Sequence, residues 1–341
     1  MTGYERIAAA MDGRMPDKIP IMLHNFMMAA RERGITMRQF RQSPQLIAES
    51  FIRAAEAYDV DGVLVDVDTV TLAGAAGVPI DFPDDEPARC RSGRLDRLDM
   101  VEVLEPVDIQ SYRGVSIWLE AVRLLRRHFG NDIMVRGNCD QAPFSLAGMM
   151  RSPAQWMMDL LEERNGPLIF KLLDVCLDVS QQFIRLMGEA GAHMVSNGDS
   201  PAGPDLISPG MYRRFALPSE KALVDAAGRL GLPYVLHICG NTSLILKDMV
   251  STGADGLELD YKTDARLAHD LMKDRCTFFG NLDPVNVLAL GNRDLVEKKT
   301  RELIEIFSDA SRLVLNAGCA IPADTPKENI RAMIQVARNF R

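Results

Sequence analysis

The chain has 341 residues, 47% of them hydrophobic and 25% charged, with a formal net charge of −8 at pH 7. That length suits one large domain or two small ones with a sizeable buried core, and interleaved charges under a negative balance argue against nucleic acid or an anionic membrane as a partner. No apolar run approaches the roughly 20 residues that span a bilayer. Met1-Thr-Gly-Tyr-Glu-Arg6 also lacks the basic and then apolar start of a secretory signal, so a cytoplasmic location is expected.

Short β-rich runs alternate with longer amphipathic runs along the whole chain, the pattern of repeated βα units and a parallel sheet. A helix over Gly3 to Met11 precedes the first strand, Ile19 to Leu23, which ends at His24-Asn25. A helix from about Pro44 to Tyr58 leads to the second strand, Gly62 to Asp66, extended to Asp68. Residues 79 to 112, rich in Asp, Pro and Arg, read as an insertion carrying short strands. The helix Ile117 to Phe129 precedes a third strand, Ile133 to Gly137, ending at Asn138-Cys139-Asp140.

Helices from Ser152-Pro153 and from about Pro167 to Gly188 lead to the fourth strand, Ala192 to Ser196, ending at Asn197-Gly-Asp199. Ser208-Pro209 opens a helix with a break near Pro218. The fifth strand, Pro233-Tyr-Val-Leu-His237-Ile-Cys239, stops at Gly240. A helix over Leu244 to Ser251 leads to strand six, Gly256 to Asp260, and a helix from Ala265 leads to strand seven, Thr277 to Gly280, ending at Asn281-Leu-Asp283. A helix from Arg293 to Phe307 precedes strand eight, Leu313 to Asn316, ending at Ala317-Gly-Cys319. Thr325-Pro-Lys-Glu328 has the pattern of a capping box that opens the last helix. Eight strands with their helices predict an α/β fold, a (β/α)8 TIM barrel spanning residues 1–341 as a single domain, with an N-terminal helical extension and an insertion after strand 2. An open doubly wound sheet is the rival, and the chain lacks its Gly-rich phosphate loop.

Active sites of this fold lie at the C-terminal ends of the strands. His237 and Cys239, two residues apart in a strand, point to the same side. The six cysteines show no disulfide-scaffold spacing and no Cys-x-x-Cys pair, so they are expected as free thiols or ligands. Cys319, just beyond the eighth strand, faces the fifth across the mouth of a closed barrel. His237, Cys239 and Cys319 therefore form a candidate zinc set with an open fourth position, and Cys139 competes as a ligand. Asn25, Asn138 and Asn281, at other strand ends, are candidate substrate-binding residues. Asp and Asn at such positions also serve as plain helix caps.

Several segments carry a resemblance across nearly the whole chain. They are Asp61-Gly-Val-Leu-Val-Asp-Val-Asp68 with Gly77, Gln141-Ala-Pro-Phe-Ser145, Asp199-Ser-Pro-Ala-Gly203 with Ser208-Pro209, His237-Ile-Cys-Gly240, Gly280-Asn-Leu-Asp-Pro284, and Asn316-Ala-Gly-Cys-Ala-Ile-Pro322. With these the chain resembles the uroporphyrinogen decarboxylase superfamily, which holds both haem-pathway decarboxylases and zinc-dependent corrinoid methyltransferases on the (β/α)8 fold. The arginine-rich motif of the decarboxylases is here Leu23-His-Asn-Phe-Met-Met-Ala29, with arginines only at 31 and 33. Their tyrosine falls at about Met149, and their Gly-His-Gly is Gly318-Cys319-Ala320. The His-x-Cys with a distal Cys is similar to the methylcobamide:coenzyme M methyltransferases, in which these positions bind zinc.

The resemblance implies zinc on His237, Cys239 and Cys319, and methyl transfer between a corrinoid and a thiol, pterin, methyl ether or methylamine. Asp68, Asp199 and Glu258 are the candidate catalytic carboxylates, for orienting the substrate or moving a proton. No Asp-x-His-x-x-Gly corrinoid motif is present. The corrinoid is therefore expected free or on a corrinoid-binding protein, with the methyl donor or acceptor as the other partner and a homodimer allowed. The alternatives are a metal-free decarboxylase and a non-catalytic barrel with structural zinc.

Overall fold

A computed structural model describes residues 1–340. Eight parallel strands run in sequence order: β1 Met22–Leu23, β2 Gly62–Val65, β3 Met134–Gln141, β4 Met194–Gly198, β5 Tyr234–Ile238, β6 Gly256–Leu259, β7 Thr277–Leu282 and β8 Leu313–Ala317. A parallel bridge between Ile21 and Leu315 joins the last strand to the first, so the sheet closes into the expected TIM barrel. Most strands read as apolar runs because helices cover their outer faces while side chains fill the interior.

The lower interior is a layer of Met22, Leu64, Met134, Met194, Val235, Phe279 and Val314, and Ile7 and Ala10 of the N-terminal helix pack beneath it. The helical extension, Gly3–Met11, is thus the plug of the barrel floor, started by a capping box in which Thr2 and Glu5 exchange side-chain and backbone hydrogen bonds. The buried Asp61 carboxylate ties this floor together. It pairs with Arg6 at 2.9 Å and with Arg338 of the last helix at 2.8 Å, and it accepts the Ile21 N–H at 2.8 Å.

Where the structure departs from expectation, local geometry explains it. Strand β1 keeps only two ladder residues because Pro20 lacks the N–H that would extend pairing. Three helices, Phe26–Arg33, Met37–Gln42 and Pro44–Tyr58, fill the connection where one was expected. The insertion holds a hairpin of Ile80–Asp81 with Arg89–Cys90, followed by 3₁₀ turns. Strand β3 runs beyond Gly137 to Gln141 through a bulge, in which Asp140 takes a left-handed φ of 58°. The expected break near Pro218 is a π-helical turn over Tyr212–Ala216. Thr325 does not cap the last helix: Pro326 holds the cap position of Lys327–Asn339, and the Thr325 hydroxyl is buried without a partner.

The loops above β5, β6 and β7 are stapled to one another. The Asp260 carboxylate accepts the N–H groups of Gly240 and Lys262, and the Asn281 amide donates to the carbonyls of Asp260 and Thr263.

Candidate metal centre

His237 is an inward-facing residue of β5, and Cys239 follows the strand's last residue on the same side. Cys319 lies two residues past β8. The barrel brings the three together, with His237 Nε2 2.9 Å from Cys239 Sγ, Cys239 Sγ 3.4 Å from Cys319 Sγ, and one donor atom from each residue within 4.8 Å of the others. The other imidazole nitrogen, Nδ1, donates to the Glu258 backbone carbonyl at 2.9 Å, which fixes the tautomer and aims Nε2 at the sulfurs. The Cys239 N–H donates to Ser200 Oγ at 3.2 Å, holding the turn after β5 in place.

This donor set fits zinc. Tetrahedral bonds of about 2.3 Å would set two sulfurs about 3.8 Å apart, a few tenths of an ångström wider than the 3.4 Å here. The electrostatics suit a cation as well. A hydrogen bond from Cys319 is the first cause that brings Cys239 down to about 3; burial opposes it and His237 adds to it. Burial pushes the His237 imidazole down, but the Cys239 thiolate outweighs it and raises the ring to about 10. Cys319, as the donor to Cys239, is held well above the usual thiol range.

The three residues sit on the wall of a cavity of about 230 Å3. Glu258 and Asn138 line it too, as does a network that the strand-end pattern left unassembled. Inside the barrel Arg136 reaches Glu258 at 2.5 Å, and His24 lies 2.7 Å from Asp66 and 3.3 Å from the same glutamate. Burial works against the Glu258 carboxylate, but Arg136 and His24 hold it well below its ordinary range. Burial likewise opposes the His24 cation, and Asp66 with Glu258 overcomes it, raising the ring to about 9. Phe26, Met27, Leu64 and Ala320 give the rest of the wall an apolar surface.

The remaining expected residues lie elsewhere. Cys139 is fully buried with its thiol toward the Gly137 carbonyl, outside the ligand group. Asp199 accepts the N–H and hydroxyl of Ser145 at 2.8 and 2.5 Å behind the barrel wall, where it meets Glu220. Asp68 accepts Val70 N–H and Thr71 Oγ, both at 2.9 Å, on the wall of a different cavity. Asn25 is buried and makes no side-chain capping bond, and Asn281 spends its amide on the loop carbonyls. Sequence reasoning missed Arg136 as a site residue, although a lone arginine in the apolar run Ile133-Met-Val-Arg-Gly137 is a visible anomaly. It also missed Asn316, whose side-chain NH2 lies 3.4 Å from Glu258 and whose Oδ1 accepts the His24 N–H at 3.0 Å.

A closed (β/α)8 barrel with an imidazole and two thiols converging at its C-terminal mouth is a TIM-barrel enzyme scaffold with a soft-metal donor set. The chain belongs to the uroporphyrinogen decarboxylase family, whose model, "Uroporphyrinogen decarboxylase (URO-D)", matches residues 2–340. Among its relatives, the methylcobamide:CoM methyltransferase MtbA of Methanosarcina acetivorans is 32% identical over 227 residues, 67% of this chain and 64% of that protein. MtaA of Methanosarcina barkeri is 28% identical over 335 residues, 96% of this chain and 95% of that protein. The structure of a methyltransferase from Methanosarcina mazei superposes with a TM-score of 0.90 at 24% identity, covering 100% of this chain and 99% of that one. Proteins named uroporphyrinogen decarboxylase match as well, at 26–28% identity. The chain is an enzyme of this superfamily and resembles its methyltransferase branch.

Proposed function

We propose that this enzyme is a zinc-dependent methyltransferase that moves a methyl group between a corrinoid, free or carried by a partner protein, and a small-molecule donor or acceptor. The observation that carries the reading is the convergence of His237, Cys239 and Cys319 on one cavity wall, all within 4.8 Å. Zinc held there would supply a Lewis acid that keeps a substrate thiol as thiolate or draws charge from a methoxy or methylamino group.

The chain's own residues do the rest. Glu258 orients His237 through its backbone carbonyl, and its carboxylate balances Arg136 and His24 on the cavity wall. Phe26, Met27 and Leu64 exclude water around the transferred carbon, and Asn138 offers a polar contact at the rim. Met27 gives that wall a soft, unbranched side chain.

The decarboxylase alternative lacks support in the cavity. Its one arginine, Arg136, turns a terminal nitrogen to Glu258 at 2.5 Å, while Arg31 and Arg33 pair with Asp324 and Glu49. A single guanidinium, already facing a carboxylate, is a poor clamp for a polycarboxylate. Metal analysis of the wild type, Cys239→Ser and Cys319→Ser, with a methylcobalamin demethylation assay across candidate acceptors, tests the proposal. One zinc per wild-type chain, lost in both variants together with methyl exchange, is expected; unchanged zinc in the variants would defeat the ligand assignment.

A further inference from the structure

A second cavity, of about 290 Å3, lies outside the barrel wall between the helix Met37–Gln42, the insertion and the start of the helix Arg113–Phe129. Its walls are of two kinds. Val67, Phe82, Tyr112 and Ile117 are apolar or aromatic, and Arg38, Arg41 and Arg113 bring three guanidinium groups to the same space.

The cations are not equally occupied. Arg38 pairs with Asp84. Arg41 is 7% exposed, and its two terminal nitrogens donate to the carbonyls of Pro83 and Glu86 at 2.9 and 2.6 Å. Its Nε has no partner at all, so a buried cation on the cavity wall keeps one N–H unspent. The Arg113 side chain makes no ion pair or hydrogen bond among the described residues. It is the first residue of a 17-residue helix, whose cap residue, Tyr112, offers no side-chain acceptor to the first turn. Both Arg113 and Gly114 line the cavity, so an uncapped helix start with its partial positive charge faces the same space.

One acid sits among these groups. Asp68 uses Oδ1 for Val70 and Thr71; burial moves its carboxyl above the ordinary range, against the pull of those two hydrogen bonds and of Arg41. The groups that face the Arg41 guanidinium are the Pro83 and Glu86 carbonyls and this acid.

We infer that this cavity is a second binding site, for a small organic anion with a flat apolar body and a phosphate or carboxylate head. The head would meet Arg41 Nε, the Arg113 guanidinium and the first-turn N–H groups, and the body would lie between Phe82, Tyr112 and Ile117. This site is separate from the metal cavity, and the two share one wall. In the segment 66–71, Asp66 and Thr69 line the metal cavity, whereas Val67, Asp68 and Thr71 line the second one.

Calorimetric titration of the full-length protein with phenyl phosphate, benzoate, inorganic phosphate and benzylammonium tests this. Phenyl phosphate or benzoate should bind once per chain, inorganic phosphate at least tenfold more weakly, and benzylammonium not at all. Arg113→Glu should weaken the organic anion at least tenfold, while Arg97→Glu, an exposed arginine that pairs with Asp99, should leave it unchanged. Binding should persist in Cys239→Ser, which separates this site from the metal centre. Arg41→Gln serves as the second cavity variant if its thermal unfolding remains cooperative. No binding to the wild type, binding untouched by Arg113→Glu, or binding abolished by Cys239→Ser would each overturn the inference.

Discussion

The Nδ1 atom of His237 and the backbone carbonyl oxygen of Glu258 lie 2.9 Å apart, so neighbouring strands, not a side chain, set the orientation of the candidate ligand. The side chain of Glu258 plays a different part, facing Arg136 at 2.5 Å and His24 at 3.3 Å in the barrel interior. Glu258→Gln should therefore keep bound zinc close to the wild-type amount while destabilising the fold. Removing the carboxylate leaves a buried guanidinium unpaired, a loss of about 3 kcal/mol or more. The carboxylate's folded pKa is depressed, so its contribution is present above the ordinary glutamate range and lost as pH falls below it. Urea unfolding at pH 7 and metal analysis of the same sample check both halves, and loss of zinc with unchanged stability would contradict the division.

The two thiols should differ in reactivity once metal is removed. Cys239 receives a hydrogen bond from Cys319 and faces His237, and its thiol is brought down to about 3, whereas Cys319 is pushed up. In chelator-treated protein at neutral pH, iodoacetamide should modify Cys239 at least tenfold faster than Cys319, because the thiolate is the nucleophile. Restored zinc should protect both. Mass spectrometry of peptides after short exposures gives the order, and faster labelling of Cys319 would reverse the assignment of donor and acceptor.

What was legible in the sequence was what depends on local pattern. Alternating apolar strands and amphipathic helices gave the barrel, and the C-terminal ends of β5 and β8 gave His237, Cys239 and Cys319. The shape of the space around those residues was not legible. Asp66 and Asp68 differ by two positions on one loop, yet the backbone turns between them and presents them to different cavities. Asn281 looks like a free polar group at a strand end, but only the fold shows that its amide is taken by the Asp260 and Thr263 carbonyls. Arg136 was hidden because its partner, Glu258, is 122 residues away and the pair forms only when β3 and β6 face each other inside the closed barrel.

Behind the barrel wall, Asp199 and Glu220 are both fully buried, and Tyr212 donates to Glu220. Burial is the first cause that raises Asp199 to about 6, and it raises Glu220 as well, with Asp199 adding repulsion. A carboxyl whose folded pKa is raised stabilises the protein fully below its ordinary value near 3.8, and that stability is lost as pH climbs through about 6. The Asp199 contribution should thus fall between pH 4 and pH 7, so the slope of unfolding free energy against pH should become less negative in Asp199→Asn than in the wild type, as read by urea titrations across that range. An identical slope in the variant would mean that Asp199 does not hold the proton.

Asn281 separates a structural role from a substrate-binding one. Its Nδ2 donates to the Asp260 carbonyl at 3.1 Å and to the Thr263 carbonyl at 3.2 Å, tying the loop after β6 to the end of β7. Asn281→Ala strips both carbonyls of that partner in a buried setting, at a cost of about 1–3 kcal/mol. The cysteine pair follows the ends of β5 and β8, and neither thiol is hydrogen-bonded to this amide. Zinc content and the KM for methylcobalamin should therefore stay within about twofold of wild type, while the urea midpoint drops. A KM rise of tenfold or more with an unshifted midpoint would instead place the amide on the substrate, because only a direct contact could alter binding without loosening the loops.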